Sequence, residues 1–229
     1  MRFAVRIAVL CAAAILVGAG VAAGIHALQS GNSSSAARAP QTAAAERLAS
    51  AHRPAWALRD RALRGQATWP AGAVAAPPIR GRDQMGREFS LSSLRGRTVA
   101  ITFFDSHCHA ECPLEGRALA SAERTLPPAQ RPVLVAVSVN PRDTPASARA
   151  ASRAWGLSQV APWYWVMGKR AALEPIYKAY RIYVGKAVRG DIQHTEALIL
   201  VDRRGYERSG YLWPFATRFV THDLRALAG

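Results

Sequence analysis

Two cysteines, Cys108 and Cys112, are the residues of this sequence whose type and spacing most clearly suit chemistry. They come directly after an apolar run, residues 99–104, and before a segment with helical spacing, residues 114–124. Where a strand turns into a helix, backbone N–H groups point outward and can stabilise a thiolate. The pair therefore suits metal binding or thiol–disulfide exchange, and its spacing and location do not separate the two.

The four-residue spacing fits both kinds of chemistry. On one helical turn the two Cα atoms lie about 6 Å apart along the axis, so both thiols can face one ion. A disulfide also needs Cα atoms about 4.4–6.8 Å apart. Two structural thiols are the plainer alternative, but the pair sits at a turn and not within a periodic apolar face. The third cysteine, Cys11, lies in an apolar run, so the sequence contains no disulfide framework.

Histidines beside the cysteine pair could complete a metal site. His107 and His109 flank the first cysteine, and either could be a further ligand, part of a second site or an ordinary turn residue. His194 precedes an apolar segment, and taken alone a histidine there is more often a core or loop residue than a ligand. Glu111 and Glu196 lie near these positions and could tune the charge, although carboxylates that only solvate a surface are commoner.

The elements that must position these residues alternate between strand and helix. Runs 98–104 and 133–139 are apolar and β-branched, as in strands buried on both faces. Thr144 and Pro145 are typical of a helix start, and Gly86 predicts the turn of a small hairpin. The predicted strands are 98–104, 133–139, 163–167, 197–202 and 206–211, and the predicted helices are 114–124, 145–155, 171–179 and 214–227. This alternation predicts an α/β fold with a mostly parallel central sheet flanked by helices.

The N-terminal part of the chain predicts a membrane anchor and a tether. Residues 7–28 form an apolar segment of 22 residues, about 33 Å long as a helix, which is enough to span a bilayer; a cleaved signal sequence is the alternative. Residues 1–6 carry two arginines and are expected to stay in the cytoplasm while the remaining chain is exported. Residues 29–73 are rich in Ser, Ala, Gln and Pro and predict a flexible linker, and residues 74–229 predict the globular domain.

The chain is strongly basic, with 30 Lys and Arg against 15 Asp and Glu and a formal net charge of +15. Such a surface could attract nucleic acid, anionic lipid or an acidic protein. The arginines are spread along the chain without a dense block, and the sequence contains no nucleic-acid-binding motif. We therefore expect no nucleic-acid partner and interpret the charge as a solvated surface that faces an anionic membrane.

Several motifs follow one another in a specific order. They are Asp83 with Gly86, Leu-Arg-Gly-Arg at 94–97, Cys-x3-Cys-Pro at 108–113, Ser-Val-Asn-Pro-Arg-Asp-Thr-Pro at 138–145, and His194 shortly before the apolar run at 198–202. Each would be weak alone, but together they resemble the Sco (SenC) family of copper-delivery proteins, which have a thioredoxin-like fold behind a membrane anchor. The resemblance covers roughly residues 76–211.

The resemblance implies that Cys108, Cys112 and His194 bind one copper ion. It also implies delivery to the copper centre in subunit II of a haem-copper (cytochrome c) oxidase, by a single-pass cell-membrane protein whose domain lies on the periplasmic side. Soft thiolates favour Cu(I), and an imidazole completes a site that can also hold Cu(II). The interval 109–111, His-Ala-Glu, departs from the Pro and Asp that the family usually carries there.

A thiol–disulfide reductase is the main alternative, with Cys108 attacking a disulfide of the acceptor and Cys112 resolving the mixed disulfide. Whether the protein is an enzyme therefore stays open. Thioredoxin-type oxidoreductases have a cis-proline before the strand that corresponds to 197–202, where this chain has Gln-His-Thr at 193–195, and this difference favours metal binding. A peroxidase of the peroxiredoxin type would need a threonine where Asp105 stands, and a tethered scaffold with structural cysteines is the non-catalytic alternative.

Overall fold

The computed structural model describes residues 59–188 and 191–229. The predicted cytoplasmic N-terminus, the predicted anchor at 7–28 and most of the predicted linker lie outside the described residues. Within the described part of the chain, no helix is both long and apolar enough to cross a membrane.

A six-stranded sheet forms the centre of the described domain. Its strands are β1 (Ala67–Thr68), β4 (Val99–Phe104), β5 (Val133–Ser138), β6 (Trp163–Val166), β9 (Ala197–Val201) and β10 (Glu207–Leu212), and two separate hairpins consist of β2 (Arg80–Arg82) with β3 (Glu88–Ser90) and β7 (Val184–Val188) with β8 (Asp191–His194). The strand order in the sheet is β1-β10-β9-β4-β5-β6. Every residue of β4, β5 and β9 is buried, as expected for apolar strands that are covered on both faces.

The sheet is mixed, so the prediction of mostly parallel strands is wrong. Only β4 with β5 and β5 with β6 are parallel, whereas β9 runs antiparallel to both β4 and β10, and β10 runs antiparallel to β1. The connection at 202–206 between β9 and β10 is too short for a crossover, so β10 must return in the opposite direction.

Helices cover both faces of the sheet, which confirms the predicted α/β architecture. The α-helices are α1 (Glu111–Arg124), α2 (Pro145–Ala154), α3 (Arg170–Ala179) and α4 (Thr217–Ala228), and short 3-10 turns occur at Leu91–Leu94, Pro128–Gln130 and Leu157–Gln159. Leu119, Ala148 and Leu224 of α1, α2 and α4 belong to one apolar core. Leu173 and Ile176 of α3 belong to a second apolar core.

Two local predictions are confirmed. The Thr144 side chain accepts a hydrogen bond from the Ser147 N–H, and the Ser147 side chain accepts one from the Thr144 N–H, so α2 begins with a capping box. In the β2–β3 hairpin, Asp83 Oδ1 accepts the N–H of Arg87, and Gly86 has a φ of 76°. A glycine suits this turn because L-residues with a side chain rarely adopt positive φ.

The β7–β8 hairpin has no counterpart among the predicted strands. Its sequence includes Gly185, Lys186, Asp191 and Gln193, which give no apolar alternation. The residues of β8 are only partly buried or exposed, so the strand does not show the alternation of apolar and polar residues by which strands are predicted. The hairpin matters because β8 ends at His194.

Part of the predicted linker belongs to the domain. β1, at Ala67–Thr68, pairs with the edge strand β10. Leu63 and Trp69 are buried, and the carboxylate of Asp223 accepts backbone N–H groups of the same segment. The linker prediction therefore fails for residues 60–69. Leu63 and Trp69 are too few to give this segment an apolar periodicity. The pairing of β1 with the sheet edge uses backbone groups, so it requires no recognisable sequence pattern.

Two carboxyl groups on α1 are buried. Both carboxylate oxygens of Glu123 and one of Glu115 have no hydrogen-bond partner within the described residues. Burial raises the pKa of each group to about 8. The folded protein therefore keeps two protons over a pH range in which the unfolded chain, with ordinary glutamate pKa values near 4.3, has lost them.

We expect the free energy of unfolding to fall as the pH rises from about 5 to 8, because the folded state binds more protons than the unfolded state there. Each buried glutamate contributes up to about 1.4 kcal/mol per pH unit. Denaturant unfolding at several pH values should show that Glu123→Gln makes this slope shallower by up to about 1.4 kcal/mol per pH unit, whereas Glu174→Gln, at a partly exposed position, leaves it unchanged. A slope that is the same in E123Q and the wild type would contradict the prediction.

Candidate metal centre

Strand β4 and helix α1 position the two cysteines. β4 ends at Phe104, a loop follows, and α1 begins at Glu111. Cys112 therefore lies in the first turn of α1, and Cys108 lies in the loop just before it. The structure confirms the predicted strand-to-helix setting of the pair.

Both cysteines are free thiols, Cys112 with no exposed surface and Cys108 with 9% of its surface exposed. The side-chain hydrogen bond from Cys112 lowers the pKa of Cys108 to about 6, assisted by the backbone N–H groups of Cys112 and Ala110 and opposed by burial. The same hydrogen bond, together with burial, raises the pKa of Cys112. At neutral pH the loop cysteine is therefore the thiolate, and the helix cysteine holds its proton.

His194 comes within reach of this pair at the end of β8. Its Nε2 atom lies 3.9 Å from the Sγ atom of Cys112 and 3.0 Å from the carbonyl oxygen of Phe103. Its Nδ1 atom lies 2.8 Å from the carbonyl oxygen of Ile192. Each ring nitrogen thus has a carbonyl acceptor for a proton. When Nδ1 carries the proton and donates it to Ile192, the Nε2 lone pair is available for a metal.

Asp105 connects the three segments around the site. It is completely buried, and its Oδ1 accepts hydrogen bonds from the His107 N–H and from Asn140 Nδ2, each at 2.8 Å. Its Oδ2 accepts the N–H of Ile192 in β8 at 3.3 Å. This carboxylate therefore holds the hairpin that carries His194 against the cysteine loop. Sequence analysis missed this role, although Asp105 and Asn140 directly follow the apolar runs of two neighbouring parallel strands.

Glu196 also lies at the site. Within the described residues, the Cys112 sulfur, a His194 ring nitrogen and a Glu196 carboxylate oxygen all lie within 4.8 Å of one another. Burial raises the pKa of Glu196 to about 7, and the negative charges of Glu111 and Cys108 add to the effect. Sequence analysis noted Glu196 but favoured a solvating role for it.

The two histidines beside Cys108 lie outside that group of three. His107 has a partly exposed ring whose Nε2 is 3.4 Å from the carbonyl oxygen of Arg142 and 3.9 Å from the carboxylate of Asp143. His109 is exposed, and its backbone N–H lies 3.4 Å from a carboxylate oxygen of Asp191. A ligand role for either histidine stays a prediction.

Comparison with known proteins identifies the family. The SCO1/SenC family model matches residues 73–227, about two thirds of the chain. The chain belongs to the SCO1/SenC family. This confirms the resemblance that the ordered motifs indicated and, with it, the thioredoxin-like fold. No sequence among the curated proteins matches the chain.

Solved Sco structures share the fold. ScoI from Bradyrhizobium japonicum, determined with copper bound, is 25% identical with a TM-score of 0.55, and the match covers 67% of this chain and 99% of that one. Apo Sco1 from Thermus thermophilus is 27% identical with a TM-score of 0.58, covering 67% and 91%. BsSco, described as a member of the Sco family of cytochrome c oxidase assembly proteins, is 20% identical with a TM-score of 0.57, covering 68% and 94%. At that identity, BsSco supports the fold alone.

In this SCO1/SenC protein the structure brings together most of the ligand set that the resemblance implies. Cys112 and His194 lie together, and Cys108 is hydrogen-bonded to Cys112. Asp105 and Glu196 are the additional residues that the fold places around them. The site therefore contains two thiols, one imidazole and two carboxylates. Of the two carboxylates, Asp105 accepts hydrogen bonds at both oxygens.

The low pKa of Cys108 predicts an unusual pH profile for thiol alkylation. In the reduced protein, we expect the rate of Cys108 labelling by iodoacetamide to be half-maximal near pH 6, about 2.5 units below an ordinary cysteine. Cys112→Ala removes the hydrogen-bond donor, so the midpoint should move towards about 8.5. Mass spectrometry of peptides would identify the labelled residue. A midpoint near 8.5 in both proteins would contradict the assignment.

Proposed function

We infer that this protein binds one copper ion through Cys108, Cys112 and His194 and delivers it to the copper centre of a haem-copper (cytochrome c) oxidase. The observation that carries the proposal is the 3.9 Å approach of His194 Nε2 to the sulfur of Cys112, which is itself hydrogen-bonded to Cys108. Two thiolates and an imidazole suit copper, because soft sulfur ligands select Cu(I). The copper-bound structure of Bradyrhizobium japonicum ScoI supports copper as the metal.

The three residues reach the ligating state by different routes. Cys108 is already a thiolate at neutral pH. Cys112 must lose its proton as the ion arrives, so binding releases a proton. His194 must turn its Nε2 lone pair from the Phe103 carbonyl towards the ion, while Nδ1–H donates to Ile192. The fold therefore supplies the ligands and an acceptor for the ring proton.

Delivery follows as ligand exchange with an exported or membrane-bound acceptor. Thiolates of the acceptor, by proposal subunit II of the oxidase, would displace Cys108, Cys112 and His194 one by one. Cys108 is the more exposed of the two cysteines, so exchange would begin there. The predicted single-pass anchor at 7–28 would keep the domain at the outer face of the cell membrane, where a tether raises the effective concentration of the acceptor.

A thiol–disulfide reductase remains the second candidate, because the cysteine pair has the asymmetry that such a reaction needs. The Cys108 thiolate would attack one sulfur of an acceptor disulfide, and the other acceptor sulfur would leave as a thiolate. Cys112, after losing its proton, would then attack the sulfur of Cys108. The acceptor would leave as a dithiol, and the chain would hold the Cys108–Cys112 disulfide.

Native mass spectrometry of the reduced full-length protein with Cu(I) tests the two candidates together. We expect one tightly bound copper per chain in the wild type and loss of this tight binding in Cys108→Ser, Cys112→Ser and His194→Ala. If His194→Ala keeps its copper and the wild type rapidly reduces insulin disulfides, the reductase function replaces copper binding as the conclusion. An intact oxidase in cells that carry the double cysteine substitution would instead support a scaffold.

A further inference from the structure

We propose that Glu196 is a fourth ligand of the copper site and that it binds the ion specifically in the Cu(II) state. The proposal rests on the copper-binding function proposed above and extends its ligand set. Its basis is the group formed by Cys112, His194 and Glu196, whose ligand atoms all lie within 4.8 Å of one another.

These separations are close to what one ion requires. Zn²⁺, a divalent ion of the same row, binds nitrogen and oxygen at about 2.0–2.2 Å and sulfur at about 2.3 Å, so two ligand atoms on one such ion are at most about 4.5 Å apart. The observed limit of 4.8 Å exceeds this value by a few tenths of an ångström. Rotation of side chains would be enough to bring the three atoms onto a common ion.

The backbone fixes Glu196 beside His194. The carbonyl oxygen of Glu196 accepts the N–H of Trp213, and the N–H of the preceding Thr195 donates to the carbonyl oxygen of Tyr183. The link between β8 and β9 is therefore held from both sides. Glu196 must consequently keep its position when the imidazole of His194 turns towards an ion.

The Glu196 carboxylate is half-buried and accepts no hydrogen bond from the residues that the structure describes. Glu111, the nearby carboxylate that could have played the same part, is held differently, since its Oε2 accepts the indole N–H of Trp213 at 2.7 Å. Of these two carboxylates, Glu196 is thus the one with both oxygens available for a cation. A partly desolvated carboxylate without partners gains most from such a cation.

The carboxylate oxygen of Glu196 is a hard donor, and this indicates which oxidation state of copper it would bind. Soft thiolates and an imidazole satisfy Cu(I), whereas Cu(II) favours nitrogen and oxygen donors in a tetragonal arrangement with more ligands. A hard carboxylate therefore adds little to Cu(I) binding and much to Cu(II) binding. Through Glu196, the site would hold copper in both oxidation states with different ligand sets.

The test compares Cu(II) and Cu(I) binding by the full-length protein in the wild type, Glu196→Gln and the matched control Glu111→Gln. Both variants remove one negative charge next to the site, but only the first removes the proposed ligand. We expect E196Q to lose at least tenfold in Cu(II) affinity, to change the Cu(II) electron paramagnetic resonance spectrum, and to keep its Cu(I) affinity within about twofold. E111Q should keep the wild-type Cu(II) spectrum and Cu(I) affinity and lose less than about threefold in Cu(II) affinity, since it removes a nearby charge but no ligand.

A tenfold loss confined to Cu(II) also raises the reduction potential of the bound copper by about 59 mV, which a redox titration measures. Thermal unfolding of the copper-free proteins checks that both variants fold. Identical Cu(II) spectra of E196Q and the wild type, or equal losses in E196Q and E111Q, would overturn the proposal. Failure of the wild type to bind either copper ion would instead contradict the proposed copper-binding function itself.

Discussion

Asp223→Ala is expected to lower the free energy of unfolding by about 3 kcal/mol or more. Asp223 is fully buried on α4, and its carboxylate accepts hydrogen bonds from Ser209 Oγ at 2.5 Å and Tyr211 OH at 2.6 Å. It also accepts the backbone N–H groups of Arg64 and Gly65. Alanine would leave three buried or partly buried donors without a partner, at a cost of about 1–3 kcal/mol for each fully desolvated group. The Tyr211 hydroxyl would keep the carbonyl oxygen of Phe219 as an acceptor at 3.0 Å.

Urea or guanidinium unfolding measures this loss. His222→Ala is the matched control, because His222 lies next to Asp223 on α4 and contacts the same carboxylate from the solvent side. We expect that control to cost less than about 1 kcal/mol. Limited proteolysis of D223A should also cut within residues 60–69, since Asp223 holds this segment on the domain. A loss in D223A no larger than in H222A would rule out this anchoring role.

Asp105→Ala is expected to weaken Cu(I) binding about 10–100-fold, the usual range for residues that orient metal ligands. Asp105 contacts none of the proposed ligand side chains through its own carboxylate. Instead it joins the His107 N–H and Asn140 to the N–H of Ile192, two residues before His194. Without it, the β7–β8 hairpin would no longer hold the imidazole against Cys112.

Competition with a chromophoric Cu(I) chelator gives the affinity, and Asp191→Ala provides the comparison. Asp191 lies on the same hairpin and carries the same charge, but within the described part of the chain its carboxylate accepts a single hydrogen bond, a 3.4 Å contact with the His109 N–H. D191A should bind Cu(I) within about threefold of the wild type. Asp105→Asn should fall between the two, because one amide oxygen can still accept while the amide nitrogen faces the Ile192 N–H. Equal affinities of D105A and D191A would contradict the positioning role.

The elements around the cysteines could be predicted because buried strands consist mostly of apolar residues and helix starts have characteristic capping residues. Strands β4 and β5 are buried at every position and apolar at all positions except Thr102 and Ser138, and the cap at Thr144 is recognisable from residue types alone. The pairing directions were not predictable in the same way. That β9 lies antiparallel to β4 depends on how the chain closes the sheet, which no local pattern records.

Some residues of the candidate site could be predicted from the sequence, and others could not. Cys108 and Cys112 stand out by spacing, and the order of family motifs singled out His194. The β7–β8 hairpin that delivers His194 is polar and partly exposed, so its existence was invisible in the sequence. Glu196 and Asp105 acquire their roles only from contacts across the fold. Glu196 lies beside Cys112 and His194, and Asp105 accepts the N–H of Ile192, which is 87 residues away along the chain.

X-ray absorption spectroscopy at the copper edge of the Cu(I)-loaded full-length protein tests the proposed ligand set most directly. We predict two sulfur neighbours and one nitrogen neighbour for the wild type, from Cys108, Cys112 and His194. In variants loaded with excess Cu(I), which they bind more weakly, His194→Ala should lose the nitrogen contribution and each Cys→Ser variant should lose one sulfur. A wild-type spectrum with a single sulfur neighbour, or a nitrogen contribution that persists in H194A, would contradict the account.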